Sequence, residues 1–455
     1  MSFGDGPDGL LTNKDVSEKS HNQPRMFYGW DIIAALFFAT FLSIGARQGF
    51  GVFVKTWEED WAVSTAAISF AAAIGTLVNG FSQPVFGWLT DKFGGRPVLL
   101  ASFFVTGLAT AGVATISSVL GLMVLYGFII SFSSGGIGFQ TTGVIVARWF
   151  EKKRGVAMAV LVSGGSVGGL VFVPFLSYLL IEVGWQAAWI ITGLIALLIG
   201  IPLLLIVVKS KPDDIGLTID GVDPNSEEGL HGSADAVGPK FVDKWFDALS
   251  SRPIWQLSFG YFVCGITTTS IGVHFVRWAN SEDITTGTAA LAFGLLSGIN
   301  AAGVLVVGLL SDRFQRKNLL GGVYLVRGLA FLTLIFLPGD IALWAFAVIG
   351  GMSWLATVPL TASLTADVYG VRNLGMLFGL ANMSHAFGGA LAVFLFGWAF
   401  TNWGSYNVPF VVGAITLLAA GIVCLSISEK TNSVRFNRIS QSNELDSGSV
   451  TAGAS

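Results

Sequence analysis

The sequence predicts an all-α integral membrane protein whose twelve transmembrane helices form two six-helix units repeated in the same orientation. Three observations carry that reading. The mean hydropathy is +0.70 and only 12% of the 455 residues are charged, far outside the range of soluble globular domains. Apolar windows of about 20 residues, enough to cross the hydrocarbon core as helices, recur along nearly the whole chain. The chain also resembles itself at an offset close to half its length.

The windows lie at 29–56, 65–90, 97–115, 118–147, 155–181 and 185–208, then at 253–278, 287–310, 319–338, 340–366, 375–400 and 404–427. Unbroken apolar runs exclude an outer-membrane barrel, whose strands alternate lipid-facing and lumen-facing residues. The first 27 residues are polar and lack an apolar signal core, so the first helix is expected to direct insertion. Between the two sets of spans, "KPDDIGLTIDGVDPNSEEG" is too polar and too rich in turn formers to cross a membrane. The expected organisation is a tail at 1–27, a six-helix bundle at 28–208, a linker at 209–252, a second bundle at 253–427 and a tail at 428–455. Cys264 and Cys424 fall in apolar spans and read as packing residues.

An even number of spans puts both termini on one side. Alternate short loops carry Lys92, Arg96, Arg148, Lys152, Lys153, Arg154, Arg313, Arg316, Lys317 and Arg372, against only Lys55 and Arg277 opposite. The basic side is cytoplasmic by the positive-inside rule. The linker and both tails are then cytoplasmic, and the expected location is the cell membrane.

The repeat appears in two separate loops. "GWLTDKFGGRPVLL" superimposes on "VGLLSDRFQRKNLL" with Asp91 on Asp312, an offset of 221, and "RWFEKKRGVAMAV" falls on "VYGVRNLGMLFGL" with Gly155 on Gly375, an offset of 220. Such parallel repeats place a substrate site between the halves near the bilayer midplane.

"GWLTDKFGGR" resembles the loop signature between the second and third helices of the major facilitator superfamily. The likeness extends from Tyr28 to about Ile427, although the second copy, "GLLSDRFQRK", lacks the later glycine. "YGWDII" at 28–33 and "RWFEKKRGVAMAVLVSGGSVGG" at 148–169 are similar to the monocarboxylate porter and oxalate/formate antiporter group within it. One departure is plain. Animal monocarboxylate transporters carry an Asp and an Arg one turn apart in helix 8, whereas "TGTAALAFGLLSGINAAGVLVVGLL" has no charge. The resemblance implies the major facilitator fold, a cavity-lining helix 1, and a latch of the outward-facing state built on Asp91 and Asp312. Arg96 and Arg313 follow in the same loops, and Arg148 is the expected in-half partner of Asp91.

Few charges lie deep in the spans, Arg47 and Arg327 being the deepest. A cation at the bilayer centre costs from about 2.5 to more than 10 kcal/mol, so a retained one faces a wet cavity or a partner. At 100° per residue Arg47 shares a face with Leu36, Thr40, Ser43, Gly51 and Val54, with Phe38, Phe41, Leu42, Val52 and Phe53 opposite. That is the pattern of a cleft-lining helix, and Arg47 reads as an anion ligand. The alternative is a cation bound to helix-end carbonyls. Arg327 lies in a helix that is peripheral in the resembled fold, and snorkelling or pairing with a neighbouring helix accounts for it. Arg277 is a rim residue.

His385 shares a face with Asn382 in the eleventh span and is a candidate for substrate binding or proton exchange, the alternative being an interhelical hydrogen bond. His274, near the outer end of the seventh span, is a weaker candidate of the same kind. Asn79 and Asn300, 221 apart, stand symmetrically in helices 2 and 8 as substrate ligands or helix-helix bonds. All 28 Asp and Glu lie in tails, loops or span ends. Organic-cation carriers normally need a buried carboxylate; a site with Arg and His but no acid suits an anion.

The expected function is secondary transport of a small organic anion, as a proton-coupled monocarboxylate symporter working by alternating access. Anion exchange of the oxalate/formate kind is the alternative within transport, and a membrane sensor the alternative outside it. The spans hold no paired acids, His-acid cluster or metal-ligand spacing, and there is no P-loop, so neither an enzyme nor a primary pump is expected. The expected partners are the anion, protons and the lipid bilayer, with a monomeric chain and no nucleic acid, cofactor or metal.

Overall fold

The computed structural model describes residues 27–221 and 242–429. These contain twelve helical spans. The first bundle comprises α1 (Gly29–Trp61), α2 (Thr65–Phe93), α3 (Gly95–Thr115), α4 (Val119–Trp149), α5 (154–183) and α6 (185–207). The second comprises α7 (Arg252–Ser281), α8 (Thr286–Ser311), α9 (Arg316–Phe336), α10 (339–369), α11 (Leu374–Trp403) and α12 (Asn407–Leu425). α5 and α6 follow one another with no loop, and the chain turns between them at Gly184, whose φ of 82° favours glycine.

Close packing in lipid requires small residues where helices cross, and the crossings here repeat between the halves. Gly45 of α1 lies against the backbone of Gly168 in α5, where an added Cβ would meet it at 2.8 Å. In the second bundle Gly265 of α7 meets the backbone of His385 and Gly388 of α11 meets that of Phe262. The two pairs stand at an offset of 220, as do Gly155 and Gly375. The halves meet through α2 against α11 and through α5 against α8.

The outer surface is apolar, with Ile181 81% and Phe336 76% exposed. Lipid, not water, is the solvent such a belt requires.

Three spans depart from uninterrupted α-helix. α1 passes through a 3-10 turn at Gly49–Phe53 before an amphipathic extension, Val54–Trp61. α4 contains a wide π turn at Met123–Ile130 and a 3-10 turn at Ser134–Ile137. α10 is interrupted between Gly339–Gly351 and Thr357–Tyr369. Of the expected linker, 209–221 and 242–251 are described and dock on loops between spans. Asp220 accepts hydrogen bonds from the Glu151 and Lys152 amides at 3.0 and 2.8 Å, and Asp243 pairs with Arg372 at 3.2 Å. Residues 1–26, 222–241 and 430–455 of the expected tails and linker lie outside the described residues.

Candidate functional site

A cavity of about 240 Å³ lies between the halves, walled by α1, α2 and α4 on one side and by α7 and α11 on the other. Arg47, Asn79, Asn382 and His385 all line it. Two opposed bundles thus bring a cation, two amides and an imidazole, 32 to 338 residues from Arg47 in sequence, to one space.

Arg47 is half-buried, and none of the ion pairs among the described residues includes it. Its neighbour is the Tyr126 hydroxyl of α4. The crossing at Gly45 fixes α1 just before this arginine, and the 3-10 turn begins just after it. The helical wheel is only partly right here. Ser43 does line the cavity, but the Thr40 hydroxyl donates to Leu161 O at 3.0 Å and Leu36 is fully buried, so that stripe packs on neighbouring helices. Leu42, placed on the far face, lines a second, smaller cavity.

His385 stands opposite on α11, its Nε2 3.3 Å from Thr268 Oγ1 and its ring 5.3 Å from that of Tyr261. Asn79 donates to Ser131 O at 3.0 Å and to Ser134 Oγ at 3.1 Å, and its carbonyl oxygen accepts from Gln83 at 3.0 Å. It therefore braces the irregular stretch of α4 while facing the cavity.

Two expected ligands are elsewhere, and the rim residue is at the rim. Asn300, 3% exposed, accepts from Leu355 N at 2.9 Å and donates to Ser166 Oγ at 3.3 Å. Like Asn79 it braces the break in a neighbouring span, but it is absent from the cavity wall. His274 is bonded to Tyr406 Oη at 3.1 Å and Val393 O at 3.0 Å, which makes it a tie between α7, α11 and the start of α12. Arg277 is exposed at the end of α7, over the Phe400 ring at 4.8 Å, as a rim residue would be.

Arg327 does not snorkel, being fully buried. Its guanidinium donates to Cys264 Sγ at 3.2 Å, to Trp354 O at 2.5 Å and to Ser353 O, the carbonyls freed where α10 breaks. Pairing with neighbouring helices is thus its role.

The loop acids engage the opposite half. Asp91 accepts from the Gly375 and Met376 amides at 2.9 and 2.8 Å, at the start of α11. Asp312 accepts from the Gly155 and Val156 amides at 2.7 and 3.1 Å, at the start of α5. Helix N-termini carry unpaired amides and partial positive charge, so a carboxylate is held there by two charge-assisted bonds. Beneath each acid a glycine pair permits the approach. A Cβ on Gly375 would lie 2.5 Å from Gly87 O, and one on Gly308 2.8 Å from Gly155 O.

The basic partners differ in part from those expected. Arg148 is near enough to act on the Asp91 charge, but the Arg96 guanidinium donates to Leu205 O at 2.7 Å and ties α3 to α6 instead. Arg313 is exposed. The cations engaged beside Asp312 are Arg316, at 3.4 Å from it and 2.5 Å from Asp367, and Arg154, at 3.1 Å from Asp367. Glu429 completes the cluster by accepting from the Arg316 and Lys317 amides at 3.1 and 2.9 Å. The four-residue spacing of Asp312 and Arg316 across the short α8–α9 turn was the available signal for this cluster. Gln83, Ser134 and Thr269 also line the cavity unforeseen; the hydroxyl-rich "SFSSGG" inside an apolar span was the clue to the second of these.

The family model of the Major Facilitator Superfamily matches residues 36–393 and, in a second match, 257–445. The oxalate:formate antiporter of Oxalobacter formigenes is 26% identical, over 87% of this chain and 90% of its own. Monocarboxylate transporter 13 of Bos taurus is 24% identical, over 88% of this chain and 89% of its own. Among solved structures, the human organic anion transporter known as TETRAN superimposes with a TM-score of 0.67 at 16% identity, over 88% of this chain and all of the other.

Proposed function

Because the chain belongs to the Major Facilitator Superfamily, and so is a multi-pass membrane transporter and not an enzyme, we propose that its cargo is a small organic anion, carried by proton-coupled monocarboxylate symport. The observation that carries this reading is Arg47, a cation without a carboxylate partner among the described residues, on the wall of the cavity between the halves. Leaving it there is costly unless an anion completes it. The names of the relatives, an oxalate:formate antiporter and a monocarboxylate transporter, support the same substrate class.

In this reading the substrate carboxylate docks on the Arg47 guanidinium, whose planar fork offers two parallel donors. Asn79, Asn382 and His385 supply polar contacts from α2 and α11, so the bound anion spans both halves. Asp91 and Asp312 hold the cytoplasmic ends together until the substrate's binding energy favours the alternate arrangement. His385 is the imidazole on the cavity wall and the candidate proton carrier. The protein works as a monomer in the cell membrane, with both termini, the linker at 209–252 and the basic loops on the cytoplasmic face.

Proteoliposomes test the coupling. Symport predicts accumulation of a labelled monocarboxylate when only a pH gradient is imposed. Uptake that ignores the gradient but responds to anion loaded on the opposite side establishes exchange instead.

A further inference from the structure

A second chamber opens beside Arg47, inside the first bundle rather than between the halves. Its space is about 40 Å³, and its wall is drawn from α1, α3, α4, α5 and α6. Ser43, Arg47, Ser134 and Ile137 line both this chamber and the central cavity, so the arginine stands at the junction of the two. Beyond that junction the wall is chiefly Leu42, Phe103, Ile130, Phe172 and Trp189.

The hydroxyls in the chamber are largely committed to the protein. Thr106 Oγ1 is 2.7 Å from Ser133 Oγ, Thr192 donates to Ala188 O at 2.7 Å, and Ser134 donates to Ser131 O at 3.0 Å. Apart from Arg47, a guest therefore meets a largely satisfied surface, in which the buried Trp189 Nε1 is a donor without a partner among the described residues. Arg47 is the only cation on the wall, and no acid is there.

From this geometry we infer that the chamber is the tail subsite of a monocarboxylate whose head group is held by Arg47. This rests on the proposed role of Arg47 as carboxylate ligand. At about 10–15 Å³ per water-sized group, the space takes roughly three heavy atoms, which with the carboxyl carbon makes a four-carbon acid the best fit. Apolar tail carbons gain by leaving water. A second carboxylate in the tail position loses its hydration without finding a cation, so dicarboxylates are excluded by desolvation and not by size.

The test is a chain-length series. Straight-chain monocarboxylates from acetate to octanoate, with succinate alongside butyrate, are titrated into purified full-length protein in detergent and followed by thermal shift. Butyrate is expected to bind most tightly, and succinate at least tenfold more weakly. Phe172→Ala enlarges the chamber and should move the optimum about two carbons longer; Ala196→Met fills it and should move the optimum to acetate or propionate. The Ala196→Met variant decides the matter alone if Phe172→Ala does not fold. An unchanged order of affinities in the folded variants, or a wild type that binds none of the series, overturns the subsite. Arg47→Gln separates the two claims. Wild-type affinities in that variant refute the head-group reading, whereas lost affinity with unshifted chain-length preference in the chamber variants refutes only the tail subsite.

Discussion

Arg47 and Arg327 are the two arginines set deep in the spans, and their surroundings are opposite. Arg327 is fully buried, its guanidinium bonded to the Cys264 sulfur and to the carbonyls of Ser353 and Trp354 and placed 5.7 Å from the Trp354 ring. Arg47 is half-buried on the wall of a cavity, beside the Tyr126 hydroxyl. The burden of placing a guanidinium in a membrane is similar for both, so depth alone does not mark a site. Whether the protein itself satisfies the cation does. A broken helix supplies the carbonyls for Arg327, and the repair is internal; Arg47 has no ion-pair partner among the described residues, and in the proposed function an anion completes it.

The largest effect should therefore be on stability, and at Arg327. Arg327→Leu strips the donors from two buried carbonyls and is expected to cost about 2–6 kcal/mol, at about 1–3 kcal/mol for each buried acceptor left unpaired. Folded yield in detergent and the melting temperature read this out, while Arg47→Gln should melt within a few degrees of wild type. Equal destabilisation by the two substitutions would dissolve the contrast.

Next in size is the closure that encloses the Arg47 cavity. Gly308→Val places a branched side chain where a Cβ already meets Gly155 O at 2.8 Å, so α5 and α8 must part and Asp312 must leave the α5 amides. Trapping of the cytoplasm-open form should rise, seen as labelling of a cysteine introduced on the cavity wall from the cytoplasmic side. Unchanged labelling would place the crossing outside the gate.

Asp91→Asn is milder, because the amide oxygen still accepts a bond from the start of α11. Losing the charge from two charge-assisted bonds is expected to alter alternation about tenfold, from about 1.5 kcal/mol, with little change in substrate affinity. A large affinity loss with normal exchange would show that Asp91 acts on the site instead. Asp312→Asn should do more than Asp91→Asn, since Asp312 also pairs with Arg316.

His385→Gln has the smallest effect on binding and the most specific one on coupling. Glutamine keeps a hydrogen-bonding side chain but cannot titrate. Accumulation driven by pH should be lost and substrate exchange retained. Retained accumulation would assign the proton to the substrate carboxylate held by Arg47.

The architecture was legible because hydropathy and the 221-residue offset are properties of the chain itself. All twelve windows fall on helical spans. The breaks in α4 and α10 were not legible, because they persist only where neighbours such as Asn79, Asn300 and Arg327 take up the freed backbone groups. The same limit governs the site. Arg47, Asn79, Asn382 and His385 converge, while His274 and Asn300, chemically equivalent on paper, are consumed by Tyr406 and Leu355. Arg96 is read as part of the latch from its place in the loop, but the local turn decides the partner: Arg316, at the start of α9, pairs with Asp312 across the short connection, while Arg96 is bonded to Leu205. Residue type and depth propose candidates; only packing says which donors are already spent.

The most direct measurement is equilibrium binding of butyrate to purified Arg47→Gln protein whose folded fraction matches wild type. Arg47 as carboxylate ligand predicts a loss of affinity of about a hundredfold, the 2.7 kcal/mol expected for a charged hydrogen-bonded pair, with Arg47→Lys intermediate because an ammonium keeps the charge without the fork. A Kd within twofold of wild type in the glutamine variant would contradict the account and return Arg47 to a purely structural role.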